Sequence, residues 1–257
     1  MSGAGAEQVR VSTADRICTI EIHRPEKKNA LTGEMYDAMA DAIAGAEADP
    51  EVRVVLLRGQ PGCFTAGNDL ADFVAAGRAG GTGVGAPAPR FLAAIRTARK
   101  PLVAAVGGVA VGIGTTMLLH CELVFAAPDA RFQMPFVPLG LVPEGGSSLL
   151  LPMVAGYQRA AEWLLLGRPF GAEEARGGGL VNEVVPAERL MERAREAALA
   201  LAALPPESVR IAKEMMKRPH AAALAERMDD EIRVFGERLS SPEALAAMQA
   251  FFARKRG

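Results

Sequence analysis

The stretch KPLVAAVGGVAVGIGTTMLLHCELVFAAP, residues 100–128, contains three kinds of local structure in succession. Its apolar run at 101–108 predicts a buried strand that ends in a turn at two glycines. The segment from residue 114 begins with a helical pattern and passes into a second apolar run, which predicts another strand. This succession of strand, turn and helix predicts a sheet whose strands alternate with helices.

The same order occurs on the N-terminal side of that stretch. Alternating β-branched residues at 17–23 predict a strand, and residues 33–49 have the pattern of a helix. Residues 52–59 predict the next strand, and residues 63–77 pass from a glycine-containing turn into a helical pattern. The recurrence predicts the α/β fold class.

The rest of the chain divides into a loop and a helical region. Residues 77–89, GRAGGTGVGAPAP, are rich in glycine and alanine and predict a mobile loop without a core of its own. Beyond about residue 187 the pattern is almost wholly helical, with apolar stripes that can pack on the main body or on another subunit. We expect a core domain at 1–190 and a helical C-terminal subdomain at 191–257, with a role in oligomerisation.

Composition excludes several classes of function. The 257 residues are 50% hydrophobic, enough for one main domain, and the formal charge of −1 gives no general basic surface for nucleic acid. No stretch approaches the roughly 20 apolar residues of a membrane span. The three cysteines are far apart and the three histidines are scattered, so we expect no disulfide framework, no metal site and a cytoplasmic location. These residues are Cys18, Cys63, Cys121, His23, His120 and His220.

Two glycine-bearing stretches, TAGND at 65–69 and VGIGTT at 111–116, precede predicted helix starts. Backbone N–H groups at a helix start have no intrahelical acceptor, so two such starts facing one point would form an oxyanion hole. The second stretch lacks the Lys-Ser/Thr pair of a phosphate loop and the spacing of a dinucleotide site. The competing interpretation, that both are only tight strand-to-helix turns, stays open at this point.

One carboxylate stands out in LVPEGGSS, residues 141–148, where Glu144 lies between a proline and two glycines. A glutamate in a turn is more often a solvated surface charge than a base held in a cleft. Asp229 and Asp230, in a charged helix near the C-terminus, are interpreted as a solvated face. The residue pattern alone therefore leaves the role of Glu144 open.

The order and spacing of three segments nevertheless resemble the crotonase (enoyl-CoA hydratase/isomerase) superfamily. They are CFTAGNDL at 63–70, residues 100–152 and LLLGRPFGAEEARGGGLVNEVVP at 164–186, and the resemblance extends from about residue 20 to the C-terminus. It implies a crotonase-like spiral of ββα turns with a helical C-terminal region. It also implies a homotrimer or a dimer of trimers.

The resemblance further implies an acyl-CoA thioester as substrate, with coenzyme A as part of that substrate and no separate cofactor. The thioester oxygen would be held by the backbone N–H groups of Asn68 and Ile113. Arg24 would face the phosphates of coenzyme A. The remaining substrate-binding positions implied are Ala66, Gly67, Asn68, Asp69, Leu70, Gly112 and Phe136.

The type of reaction depends on which carboxylates are present. Hydratases of the family carry two glutamates, and this chain has Thr116 and Phe136 at those positions. Glu122 stands where the family usually has a structural aspartate. Glu144 matches the catalytic base of the peroxisomal-type Δ3,Δ2-enoyl-CoA isomerase branch, so the resemblance implies an isomerase with Glu144 as its acid/base.

Two alternatives are retained. The chain is a 2-enoyl-CoA hydratase, or catalyses another crotonase reaction, if Glu144 positions a water molecule or if Glu122 reaches the cleft. It is a non-catalytic CoA-thioester binding protein if it binds the ligand without turnover.

Overall fold

The computed structural model describes residues 7–69 and 86–254, with side chains as far as residue 250. Within these residues, six strands form the larger sheet, in the order β1-β2-β3-β5-β7-β10, and four form the smaller one, in the order β4-β6-β8-β9. The strands are β1 (Val9–Ala14), β2 (Ile17–Ile22), β3 (Val54–Arg58), β4 (Cys63–Thr65), β5 (Leu102–Val106), β6 (Val109–Val111), β7 (Leu123–Ala126), β8 (Arg131–Gln133), β9 (Phe170–Gly171) and β10 (Glu183–Val184).

From β3 to β8, consecutive strands alternate between the two sheets. The chain leaves the larger sheet after β3, β5 and β7 and immediately adds β4, β6 and β8 to the smaller one. Pairing is parallel in both sheets except at β1–β2 and β8–β9. Each turn of the chain therefore supplies one strand to each sheet, which confirms the predicted spiral.

Helices cover the sheets and form the C-terminal region. They are α1 (Gly33–Ala48), α2 (Pro87–Thr97), α3 (Ile113–Thr116), α4 (Ser147–Ala155), α5 (Tyr157–Ala161), α6 (Ala172–Gly177), α7 (Leu190–Ala203), α8 (Pro206–Lys217), α9 (Ala221–Leu239) and α10 (Pro242–Arg254). Short 3-10 helices lie at Pro25–Lys27, Met117–His120, Val137–Leu139, Ala187–Arg189 and Arg218–His220, and a π-helix lies at Glu162–Leu166.

The start and packing of α1 follow from its sequence. The Thr32 hydroxyl accepts a hydrogen bond from the backbone N–H of Met35, which caps the first turn. Met35, Met39 and Ile43 recur at intervals of four residues, so they share one helical face and are fully buried in the main core. Hydrophobic burial of this face fixes α1 on the sheet.

The strands predicted at 17–23, 52–59 and 101–108 are confirmed to within two residues. Strand β1 was not predicted, because its apolar alternation is short, at Val9 and Val11, and only its first residue is buried. The predicted loop at 77–89 was wrong for its last residues, since α2 begins at Pro87, a residue favoured at a helix start. Its other residues up to 85, and the predicted helix after Asp69, lie outside the described residues.

The predicted helical C-terminal region is confirmed, and its helices share the core with the sheets. Helix α7 packs on the larger sheet through Ala194 and Ala198. Helix α9 contributes Met228 and Phe235 to the main core. The division into two domains at residue 190 stays a prediction. Across residues 7–69 and 86–254, no helix is both long and apolar enough to cross a membrane.

Candidate active site

The first part of the site is the turn after β4. Gly67 has a φ of +84°, and Asn68 forms a parallel bridge with Leu31. In this bridge Leu31 N–H donates to Gly67 O at 2.8 Å and Asp69 N–H donates to Leu31 O at 2.9 Å. Successive N–H groups of an extended chain point to opposite sides, so the N–H of Asn68 points away from Leu31. Among the described residues it has no hydrogen-bond acceptor.

The second part is the turn before α3. Gly112 has a φ of +56°, which a glycine adopts without strain, and Ile113 is the first residue of the helix. The N–H groups of a first helical turn have no intrahelical acceptor, and no side chain caps this one. Ile113, like Asn68, therefore presents a backbone N–H that no other described residue accepts.

The two turns pack directly against each other. A Cβ added at Gly67 would lie 2.6 Å from the carbonyl oxygen of Val111, and one added at Gly114 would lie 2.6 Å from Cγ2 of Thr65. Both positions therefore require glycine, because a side chain would push the turns apart. The sequence prediction that these two stretches come together is consistent with this packing.

Asn29, which the sequence interpretation missed, fastens the first turn. Its fully buried amide Nδ2 donates to the carbonyl oxygens of Cys63 and Phe64, each at 3.0 Å. The Thr65 hydroxyl in turn donates to Asn29 O at 2.6 Å and accepts from Gly67 N–H at 3.0 Å. These bonds join strand β4 to the segment around Asn29, so several contacts together hold Asn68 in position.

Glu144 is buried, with 8% of its surface exposed, and meets the second turn. Its Oε1 accepts a hydrogen bond from the Thr116 hydroxyl at 2.5 Å. Thr116 lies three residues after Ile113, about 4.5 Å along the helix. Thr116, at one of the two positions where the resemblance implies a glutamate in hydratases, therefore contacts Glu144. The interpretation of Glu144 as a solvated charge is therefore wrong.

Burial also determines the protonation of Glu144. Loss of hydration raises the pKa of Glu144 from 4.5 to about 8, the hydrogen bond from Thr116 opposes this rise, and the nearby Glu231 carboxylate adds to it. A carboxyl group with a pKa in this range can take up and release a proton near neutral pH, as an acid/base must.

His120 supports the turn that carries Glu144. Its Nε2 lies 2.8 Å from the carbonyl oxygen of Gly145, which is an acceptor only, so Nε2 carries the proton. Burial lowers the pKa of His120 to about 4, and the ring is therefore neutral at pH 7. Sequence reasoning gave His120 no role because it belongs to no histidine motif.

Phe136 and Glu122 occupy different surroundings. Phe136 is buried and approaches Gly112, so that a Cβ on Gly112 would lie 4.0 Å from its ring.

Glu122 Oε2 accepts from the backbone N–H of Leu102 at 2.8 Å and from the buried Nζ of Lys213 at 2.9 Å. Glu122 therefore has a structural role at the start of β5, which weakens the alternative in which it acts in the cleft.

The remaining predicted substrate contacts are not all free to bind. Arg24 Nη1 donates to Asp69 Oδ2 at 2.8 Å and to Ala30 O at 2.9 Å, so Arg24 and Asp69 form an ion pair within the protein. A role for Arg24 toward coenzyme A phosphates stays a prediction. Ala66 precedes the Gly67 turn, its N–H donating to Lys28 O, and Leu70 lies outside the described residues.

The side chains that commonly bind metal ions are dispersed in the part of the chain that the structure describes. No group of three His, Cys, Asp or Glu residues at 7–69 and 86–250 is arranged to hold a metal ion. Cys18, Cys63 and Cys121 are all free thiols.

The candidate site thus consists of two backbone N–H groups without an acceptor among the described residues and a buried carboxyl group that contacts the second turn. The chain belongs to the enoyl-CoA hydratase/isomerase (crotonase) family, whose model matches residues 12–256. It is 35% identical to enoyl-CoA delta isomerase 2 of Rattus norvegicus over 96% of this chain, which spans 64% of the rat protein's length.

Two further relatives extend the comparison. A Mycobacterium leprae protein named probable enoyl-CoA hydratase echA8 is 31% identical over 97% of this chain and 96% of its own. The solved structure of Pseudomonas aeruginosa OdaA has a TM-score of 0.92 and 45% identity, and the match covers 96% of this chain and 99% of that chain.

Proposed function

We propose that the protein is a Δ3,Δ2-enoyl-CoA isomerase that uses Glu144 as its single acid/base. The observation that carries the proposal is the buried Glu144 carboxyl, held against Thr116 one helical turn from the N–H of Ile113. The name of the rat relative supports an isomerase, and the names of other relatives include hydratases.

The reaction needs one proton acceptor that later becomes a donor. Glu144 in its carboxylate form takes a proton from C2 of a 3-enoyl thioester, and the electron pair moves onto the thioester oxygen as a dienolate. The N–H groups of Asn68 and Ile113 stabilise that oxygen, each by about 3 kcal/mol. Protonated Glu144 then returns the proton to C4, and the double bond lies between C2 and C3.

The side chains at positions 116 and 136 support isomerisation over hydration. Thr116 and Phe136 provide no second carboxylate to orient an attacking water. Orientation of the nucleophile contributes much of the rate of such additions, so hydration is expected to be slow here. Hydration of 2-enoyl-CoA is the second candidate, favoured by the hydratase relatives that match this chain over nearly their whole length.

The proposal includes the expected homotrimer or dimer of trimers. Five large apolar side chains between residues 153 and 166 are exposed to solvent, and exposed apolar surface is commonly covered by another subunit. They are Met153, Val154, Tyr157, Leu165 and Leu166.

The test is to give the purified protein a 3-enoyl-CoA and, separately, a 2-enoyl-CoA, and to analyse products by chromatography with mass detection. The expected result is conversion of the first substrate to a conjugated isomer of unchanged mass, with little water added to the second. Rapid addition of water to the second substrate would make the protein a hydratase. Binding without turnover of either would favour a CoA-thioester binding role.

A further inference from the structure

A second buried carboxylate, Glu231, lies behind the turn that carries Glu144. Glu231 belongs to helix α9, and 6% of its surface is exposed. Its Oε2 accepts from Gly146 N–H at 2.6 Å, and its Oε1 accepts from Ser148 N–H at 3.0 Å and from the Ser148 hydroxyl at 2.5 Å. One side chain thus satisfies three donors at the start of α4, 83 to 85 residues away in sequence.

The same face of α9 closes over the turn. Leu224 and Met228 precede Glu231 by seven and three residues, and all three therefore project to one side of the helix. A Cβ added at Gly146 would collide with Leu224 and would lie 3.3 Å from Cγ of Met228. The turn is thus enclosed by α9 on the side of Gly146, while its Gly145 carbonyl meets His120.

We propose that Glu231 is the positioning residue for Glu144, and that through it helix α9 of the C-terminal region holds the turn that carries the catalytic carboxyl. This inference rests on the proposed function of Glu144.

The bonding pattern explains how Glu231 acts on Glu144. Both oxygens of Glu231 accept hydrogen bonds from backbone N–H groups, and these bonds hold the turn in place. Burial raises the pKa of Glu231, while the hydrogen bonds from Ser148 and Gly146 and the charge of Arg227 on the same helix oppose that rise. In its ionised form Glu231 opposes ionisation of Glu144.

Three variants separate the effects of charge and anchoring. Glu231→Gln removes the charge and places an amide against backbone donors. Glu231→Asp keeps the charge on a side chain one methylene shorter. Asp230→Asn is the matched control, because it removes one negative charge from the adjacent, exposed position on α9, where Asp230 pairs only loosely with Arg233 at 3.6 Å.

Two readouts are measured for each variant. The first is the titration of Glu144 from its carboxylic-acid band in infrared difference spectra, assigned by its absence in Glu144→Gln. The second is kcat and KM for a 3-enoyl-CoA across pH. The groups that influence the titration of Glu144 are Glu231 and the Thr116 hydroxyl. His120, which is neutral at pH 7, contacts the carbonyl oxygen of the adjacent Gly145.

In Glu231→Gln we expect the Glu144 midpoint to move to lower pH, and the plateau kcat to fall about ten- to a hundredfold with KM changed less than about threefold. Glu231→Asp should keep the midpoint and lose kcat only. Asp230→Asn should match the wild type in both.

A Glu231→Gln protein that is less stable but keeps the wild-type midpoint and plateau kcat would overturn the inference, since Glu231 would then be structural only. If Glu231→Gln does not fold, Glu231→Asp carries the test, and an unchanged kcat in that variant overturns the anchoring role. A lowered midpoint in a protein whose wild type shows no isomerase turnover would uphold the link between the carboxylates and overturn only the proposed function.

Discussion

Replacing Glu144 by Gln removes a buried titrating group and should make the protein more stable at neutral and alkaline pH. The unfolded chain releases this proton near pH 4.5, whereas the folded chain holds it to about pH 8. Folded protein therefore binds more protons than unfolded protein between these values, and the wild-type stability falls as the pH rises through this window. The Gln variant has no such loss.

The size of the effect follows from the two pKa values. Each pKa unit is equivalent to about 1.36 kcal/mol, so the interval from 4.5 to about 8 corresponds to about 5 kcal/mol as an upper limit. The difference in unfolding free energy between Glu144→Gln and the wild type should be constant below about pH 4.5. It should grow by about 1.4 kcal/mol per pH unit above that, and level off beyond about pH 8.

The assay is equilibrium urea unfolding at one fixed protein concentration, from pH 4 to pH 9. Glu237→Gln is the matched control, because Glu237 is an exposed glutamate paired with Arg233 on the surface of α9, where ion pairs contribute little. A difference between Glu144→Gln and the wild type that stays flat across pH 5 to 8 would show that Glu144 is not held protonated, and would refute the reasoning about its burial.

Three further predictions test the surroundings of Glu144. Gly114→Ala would place a methyl group 2.6 Å from Thr65 Cγ2 and separate the two turns, so kcat/KM should fall by about a hundredfold in steady-state assays. The control Gly45→Ala should leave kcat/KM unchanged, because a Cβ at Gly45 meets nothing within 4 Å. In a pH–rate profile of the wild type, kcat/KM should rise with a midpoint near pH 8, as the Glu144 carboxylate forms. Thr116→Val should move that midpoint to higher pH, because it removes the hydrogen bond that lowers the pKa of Glu144. Glu122→Gln should leave the buried Lys213 ammonium without its counter-charge, so the unfolding free energy should fall by about 3 kcal/mol in denaturant titrations while kcat stays within about twofold. A loss of kcat without a loss of stability would restore Glu122 as a catalytic candidate.

The sequence predicted the parts of the fold whose residues are buried in regular runs. Residues 54–57 and 102–106 are continuous apolar segments because both faces of these parallel strands are buried, one face in each of the two hydrophobic clusters. Strand β1 escaped prediction because it is an edge strand with one buried residue, and edge pairing leaves little trace in the hydrophobic pattern.

The site was predicted only in part, because local patterns do not report long-range contacts. The glycine-bearing turns before Asn68 and Ile113 carry a local signal, since positive φ angles and close approach require glycine. Glu231 carries no local signal of this kind, because it directly follows Asp229 and Asp230 and looks like part of the same charged surface. One clue was available: Leu224, Met228, Glu231 and Phe235 recur at helical spacing, which places a carboxylate on the apolar stripe of α9.

Arg24 shows the same limit. Its role toward the phosphates of coenzyme A rests on the family resemblance and stays a prediction, and the local pattern could not show that Asp69, 45 residues later, would pair with it. A largely buried guanidinium pairs with a carboxylate where the fold supplies one, because an unpaired buried charge is costly.

The most direct test of the central claim compares the wild type with Glu144→Gln on a 3-enoyl-CoA, with binding of a saturated acyl-CoA measured by calorimetry for both. We expect turnover in the variant to fall between about a hundredfold and ten-thousandfold, as is typical for loss of an acid/base, with the dissociation constant changed less than about threefold. A Gln variant that keeps more than about a tenth of wild-type turnover would contradict the assignment of Glu144 as the base.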